Sequence, residues 1–310
     1  MRYQLFGRSG LRVSELCLGT LGFGSSKESE RVSDLMAQKL FERFAEAGGN
    51  FIDTAATYAD GNSERTVGRL VKVHRDDFVI STKYSLQGGV SPLRAGNSRR
   101  NLRRTVEESL MRLGTDYIDI LYLHAWDFAT QWWEILSGMD DLISSGKVQY
   151  VAVSNTPAWQ VSRAITMAEL RGWDPFIGVQ VRYSLIDRTA EREFLPMAKE
   201  LDLAVAAWSP LGGGVLASHD EPGDVSVRGK PISPEARRTA AAVRAVAIQR
   251  GCTPAQVSIS WLRTFSSQWG GVIPVVGCST DFELEDVLSA MDVVLEQDEF
   301  ELLSPNAPIR

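Results

Sequence analysis

The feature that most constrains this chain is an alternation. Short apolar runs recur along it, and a stretch of helical periodicity separates each run from the next. The runs are Leu16-Cys17-Leu18, Phe51-Ile52, Phe78-Val79-Ile80, Ile118–Leu123, Val148–Val153, Ile177–Val181, Leu203–Ala207 and Val272–Val276. Helical spacing marks 34–47, 63–72, 98–113, 131–145, 157–171, 190–201, two helices between 234 and 266, and one at 281–290. Strict alternation demands a parallel sheet, because each strand is followed by a crossover helix. Eight such units can close on themselves, so the pattern predicts an α/β chain folded as a (β/α)8 TIM barrel. Residues 1–12 read as an N-terminal β-hairpin turning at Arg8-Ser9-Gly10, and the doubled helices near the end are extras on the barrel. A length of 310 residues fits one barrel domain spanning 1–310.

A doubly wound open sheet is the competing architecture, and it normally carries a dinucleotide fingerprint after its first strand. Gly212-Gly213-Gly214-Val215-Leu216-Ala217 satisfies a relaxed form of that fingerprint, but it follows the seventh strand. The glycines of Gly19-Thr20-Leu21-Gly22-Phe23-Gly24 have the wrong spacing. The barrel is the better reading.

In a parallel barrel, chemistry sits at the carboxyl ends of the strands. Phe51-Ile52 delivers Asp53 there, with Tyr58 in the loop above. Lys83 follows the third run and His124 follows the fourth. Taken singly, each has an ordinary reading: a capping acid, a rim aromatic, a surface lysine, a half-buried histidine. Together they form a set suited to carbonyl reduction, which needs a hydride on carbon and a proton on oxygen. A free tyrosine, with a pKa of about 10, holds its proton tightly for this task near neutrality. Lys83 beside Tyr58 would stabilise the phenolate, Asp53 would hold Lys83, and His124 would donate a hydrogen bond to the carbonyl oxygen.

Composition excludes several other classes. The net charge of −6 gives no reason to expect a nucleic-acid or membrane surface. Arg99, Arg100, Arg103 and Arg104 form the one dense basic cluster, on a helix whose solvated face explains them. The three cysteines are widely separated, which fits a reducing compartment, and the three histidines lack metal-ligand spacing. Met1 to Gly10 lacks the apolar core of a signal peptide, and no run is long enough to cross a bilayer. A cytoplasmic protein with no metal is expected.

From end to end the chain resembles an aldo-keto reductase. The resemblance is carried by Gly10-Leu11-Arg12-Val13-Ser14, Leu18-Gly19-Thr20, and Phe51-Ile52-Asp53-Thr54-Ala55 through Tyr58 to Gly61-Asn62-Ser63-Glu64. It continues through Ser81-Thr82-Lys83, Leu113–Asp119 leading to Leu123-His124, and Gly146-Lys147-Val148. Val153-Ser154-Asn155, Val179-Gln180 with Tyr183, Trp208-Ser209-Pro210-Leu211 and Ile273-Pro274 complete it.

The resemblance implies Tyr58 as acid/base, with Asp53, Lys83 and His124 tuning and orienting it, and a small-molecule carbonyl substrate. It implies a nicotinamide cofactor, NADP(H) by family habit with NAD(H) also possible. Ser154, Asn155 and Gln180 would hold the carboxamide and Trp208 would stack on the ring. Gly19, Thr20, Asp53, Ser209, Leu211, Gly213 and Gly277 would line the rest of the cofactor. Ser279, Thr280 and Glu283 would meet the 2′-phosphate end, where Glu283 is a repelling carboxylate and no lysine or arginine stands within 277–284. Val287 replaces an asparagine that often meets the adenine, and an arginine from 228–238 would be the source of any restored grip. Phe23 and Trp126 are expected to wall the substrate pocket, and the 217–234 connection to act as a lid. Arg182 would recognise an anionic group or form a surface ion pair. A different class also fits the resemblance: a cofactor-binding regulatory subunit of a membrane channel, with little turnover.

Overall fold

The computed structural model describes residues 1–25, 32–86, 91–220, 223, 226, 229, 231–266 and 271–304. A hairpin of Tyr3–Leu5 (β1) and Arg12–Ser14 (β2) precedes the barrel. The barrel strands are Cys17–Gly19 (β3), Phe51–Asp53 (β4), Val79–Tyr84 (β5), Ile118–Leu123 (β6), Val148–Ser154 (β7), Gly178–Arg182 (β8), Ala204–Trp208 (β9) and Val272–Val276 (β10). Every neighbouring pair is parallel, and β10 pairs with both β9 and β3, which closes the sheet.

Helices Asp34–Glu46 (α1), Asn62–Val71 (α2), Arg99–Leu113 (α3), Trp132–Ser144 (α4) and Ala158–Arg171 (α5) follow the first barrel strands. Phe194–Glu200 (α6), Pro234–Arg250 (α7), Pro254–Ser266 (α8), Asp281–Ser289 (α9) and Gln297–Leu303 (α10) complete the described helices. Several begin on a side-chain cap: Ser33 accepts from the Met36 N–H, Ser98 from Asn101 and Ser233 from Ala236. Each such cap contributes roughly 1 kcal/mol. The strands read as continuous apolar runs because both faces are covered. Leu121 and Leu123 belong to the layer beneath the helices, whereas Ile120, Phe51 and Ile273 fill the barrel interior. Phe6 of the hairpin closes the bottom, its ring edge-on to Phe51 at 5.6 Å.

Two expectations need correction. Lys83 lies within β5 and does not follow a strand ending at Ile80. The strand runs on because its polar residues are satisfied inside: Ser81 donates to Asp53 Oδ1 at 2.8 Å and Thr82 to Glu64 Oε1 at 2.6 Å. The helix expected over 190–201 is a 3₁₀ turn, Thr189–Glu191, followed by α6. Pro196 sits in the first turn of α6, where a missing N–H costs nothing. The final helix α10, which shows no clear apolar period, is anchored instead by buried Phe300 and Leu303 and a Glu296–Glu299 capping box. Of the 217–234 connection expected as a lid, residues 221, 222, 224, 225, 227, 228 and 230 lie outside those described, Arg228 among them.

Candidate active site

The carboxyl ends of the barrel strands surround a cleft of about 330 Å³. Asp53 ends β4, and its carboxylate is buried. Lys83, wholly enclosed on β5, places its Nζ 2.5 Å from Asp53 Oδ2, 2.9 Å from the Thr54 carbonyl and 3.2 Å from the Tyr58 hydroxyl. Ser81 Oγ and Gln180 Nε2, at 2.8 and 3.0 Å, donate to the other carboxylate oxygen of Asp53. The carboxylate is therefore fixed by three donors from two strands, β5 and β8. Burial by itself would push the Lys83 ammonium down; the Asp53 carboxylate and the Tyr58 oxygen outweigh it, and its pKa stands above the ordinary lysine value.

Tyr58 opens a 3₁₀ turn, Tyr58–Gly61, in which Ala59 and Asp60 take left-handed φ values of 50° and 53°. Such backbone is sparsely populated by residues other than glycine. Among the described residues, seven non-glycines have positive φ, and six of them (Ala59, Asp60, Ser85, Phe128, Asn155, Ser209) lie in segments leaving the carboxyl ends of strands. Strain of this kind persists where surrounding contacts over-determine the geometry. The contacts here are specific. Buried Glu64 accepts from Thr82 and from Arg112 Nε, tying α2 to β5 and α3 just beyond the Tyr58 turn. Ser63 Oγ donates to the Thr20 carbonyl and meets the hydroxyls of Thr20 and Thr54 at 2.7 and 2.8 Å.

His124 leaves the end of β6 with its backbone N–H on the Tyr84 carbonyl. The next residue is clasped: Ser85 Oγ donates to the Ala125 carbonyl and accepts the Ala125 N–H. The ring stands edge-on to Tyr58, with centroids 6.2 Å apart. Burial, aided by the nearby Lys83 ammonium, pushes the imidazole down to about 3. Among the described residues, its buried Nδ1 has no hydrogen-bond partner.

The cleft is lined by Gly19, Thr20, Asp53, Tyr58, His124, Ser154, Asn155, Gln180, Trp208, Ser209 and Gly277, with Leu21 and Val275 added to the expected set. Gly19 and Gly277 face each other across β3 and β10; a Cβ on Gly277 would lie 3.5 Å from the Gly19 carbonyl oxygen. Asn155 Nδ2 donates to the His124 carbonyl and to Ser154 Oγ, which leaves its amide oxygen as an acceptor toward the cleft. Half-buried Trp208 supplies an aromatic wall. A flat ring bearing a carboxamide fits this combination of indole and amide groups.

Other expected residues stand elsewhere. Among the described residues, Leu211, Gly213, Ser279, Thr280 and Glu283 lie outside the cleft lining. Gly212 to Gly214 all take left-handed φ. Glu283 accepts the Ser279 N–H at 2.6 Å, so a carboxylate already covers the start of α9, and Thr280 caps the Glu283 N–H. Val287 is buried in the core. Phe23, expected as a pocket wall, is 1% exposed and packs in the core. Trp126 is half-buried in the loop beyond His124, stacked on Trp132 at 5.6 Å and against Phe128 at 4.6 Å, outside the cleft lining. The hydroxyl cluster of Thr20, Thr54 and Ser63 was not legible as a group, since nothing in the spacing of three small polar residues signals that they meet.

The model for the aldo/keto reductase family matches residues 15–304. The chain belongs to the aldo/keto reductase family. Its members are oxidoreductases that use nicotinamide cofactors. Similar proteins include the norsolorinic acid reductase stcV of Emericella nidulans, 35% identical over 97% of this chain and 80% of that protein. The aldo-keto reductase ausK of the same organism is 33% identical over 97% of this chain and 80% of its own length. An aryl-alcohol dehydrogenase of Phanerodontia chrysosporium whose name specifies NADP(+) is 32% identical over 98% of this chain and 85% of its length. Among the described residues of this reductase, no helix is long and apolar enough to cross a membrane.

Proposed function

We propose that this aldo-keto reductase, as one barrel domain, reduces an aromatic aldehyde or ketone to the alcohol, with Tyr58 as the proton donor. The observation that carries the reading is the Lys83 ammonium, held 2.5 Å from Asp53 and 3.2 Å from the Tyr58 oxygen beside a neutral His124. When bound, a reduced nicotinamide supplies the hydride that the carbonyl carbon gains. Tyr58 gives its proton to the carbonyl oxygen, and the ammonium of Lys83 stabilises the phenolate left behind. Asp53 keeps Lys83 charged and in place. A buried lone pair left unpaired costs less than a buried N–H left unpaired, so the His124 proton belongs on Nε2 and Nδ1 is the bare nitrogen. The imidazole then donates to the carbonyl oxygen as charge develops there.

Ser154, Asn155 and Gln180 would hold the carboxamide of the cofactor and Trp208 would cover its ring. The name of the Phanerodontia relative, an aryl-alcohol dehydrogenase that specifies NADP(+), favours both NADP(H) and an aryl substrate. The free thiols of Cys17, Cys252 and Cys278 suit the reducing cytoplasm.

Steady-state reduction of 4-nitrobenzaldehyde, followed by loss of nicotinamide absorbance, tests the reading. Tyr58→Phe should lower turnover by roughly a hundred-fold or more while the cofactor dissociation constant holds. Near-normal turnover in that variant would remove Tyr58 from the role.

A further inference from the structure

Arg182 is the last residue of β8, and its register partner on β9 is Trp208. Side chains two residues apart on a strand share a face. Gln180 reaches inward to Asp53 Oδ1 at 3.0 Å, so Arg182 projects on the same side, about 6.6 Å nearer the mouth of the barrel. Its guanidinium carbon lies 5.7 Å from the centroid of the Trp208 ring, within reach of a cation–π contact. Trp208 in turn lines the cleft that holds Tyr58 and His124.

The guanidinium is held from one side only. Its Nε meets Asp187 Oδ2 at 3.2 Å. Asp187 is itself fixed: its backbone exchanges both hydrogen bonds with Ser184, and its other carboxylate oxygen accepts from the Thr189 hydroxyl at 2.7 Å. Among the described residues, neither terminal nitrogen of Arg182 meets an acceptor. A surface ion pair formed for its own sake is worth little. This one aims a planar two-pronged donor, which matches a carboxylate, over the aromatic wall of the cleft.

We propose that Arg182 is a substrate-recognition residue that reads an anionic group on the carbonyl compound, making aromatic aldehydes or ketones with a carboxylate the favoured substrate class. The inference rests on the carbonyl-reductase reading above and names which carbonyls that cleft selects. The carbonyl oxygen would meet Tyr58 and His124, and the carboxylate would meet the Arg182 fork at the rim.

The experiment compares 4-carboxybenzaldehyde with its uncharged methyl ester, methyl 4-formylbenzoate, in the wild type and in Arg182→Met, which keeps an apolar stem on Trp208. The wild type should favour the acid in kcat/KM by about ten- to hundred-fold, the range that a charge-assisted hydrogen bond supports. Arg182→Met should lose that preference through KM for the acid, with the ester changed by less than about threefold. Binding of benzoate, followed by tryptophan fluorescence, should weaken about tenfold or more in the variant, while uncharged benzamide should not respond. This arm decides the question even where neither aldehyde turns over. Equal treatment of acid and ester by the wild type would overturn the proposal, as would a parallel loss on both in the variant or benzoate binding that ignores the substitution. A matching loss of NADPH affinity in Arg182→Met would assign the guanidinium to the cofactor and overturn it too. Reduction of the ester that persists in Arg182→Met and fails in Tyr58→Phe would leave the carbonyl-reductase reading standing whatever becomes of Arg182.

Discussion

Lys83 Nζ stands between Asp53 and Tyr58, 2.5 Å from the carboxylate and 3.2 Å from the phenol oxygen. Both Lys83 and Asp53 are out of contact with solvent, so neither charge is tolerable without the other. Lys83→Met should therefore cost about 3–5 kcal/mol of stability as well as turnover, because the Asp53 carboxylate is left buried and unpaired. Adding Asp53→Asn should return much of the stability and none of the turnover. Denaturant unfolding of both single variants and the double variant checks this; additive losses would show that the pair is not coupled.

His124 predicts a particular response to acid. Its folded value is about 3, and an unfolded histidine titrates near 6.5. Above 6.5 both states are neutral and the group is indifferent to pH. As pH falls from there toward 3, the unfolded chain takes up a proton that the folded protein refuses, so stability declines. At pH 5 the decline reaches up to about 2 kcal/mol from this residue. His124→Gln should lose correspondingly less between pH 7 and pH 5 in urea unfolding. Identical losses in variant and wild type would mean that the imidazole is protonated in the folded state.

Glu283 sets an expectation for cofactor choice. Its carboxylate already accepts the Ser279 N–H at the start of α9, the polar end of a helix that favours an anion. A 2′-phosphate placed there would meet a like charge. The wild type should therefore prefer NADPH over NADH by less than about a thousand-fold, roughly 4 kcal/mol. Glu283→Gln should tighten NADPH about tenfold and leave NADH nearly unchanged. Dissociation constants from fluorescence quenching decide it, and equal shifts for the two cofactors would place the 2′-phosphate away from Glu283.

Gly68 offers a test of packing. In an unconstrained helix, alanine for glycine is stabilising by about 1 kcal/mol. Here a Cβ on Gly68 would lie 2.2 Å from the Leu113 carbonyl oxygen, at the contact of α2 with α3. Gly68→Ala should thus destabilise by about 1–3 kcal/mol or more, the opposite sign. A raised melting temperature would mean that the two helices separate without penalty.

Much of the fold was legible because a parallel barrel writes its period into the chain. Strands covered on both faces must be apolar throughout, and crossover helices must be apolar on one face, so Ile118–Leu123 and Arg99–Leu113 announce themselves. Where the reading slipped, a polar side chain had found a partner that is distant in sequence. Ser81 and Thr82 look like the end of a strand until Asp53 and Glu64 meet them inside. Phe23 looks like a pocket wall in a glycine-rich loop, yet it turns into the core.

The sequence by itself determined the order of elements and the residue types at the strand ends, since both are local properties of the chain. It brought Asp53, Tyr58, Lys83 and His124 into one hypothesis through a shared position in a repeated unit. What the tertiary structure alone decided was mutual geometry. Closure of β10 on β3 sets Gly277 against Gly19, and the pairing of β8 with β9 sets Arg182 over Trp208. Asp53 meets Gln180 from 127 residues away, and Glu64 meets Arg112 from 48. Contacts at such separations depend on the twist and stagger of the closed sheet, and no local pattern of residues encodes them.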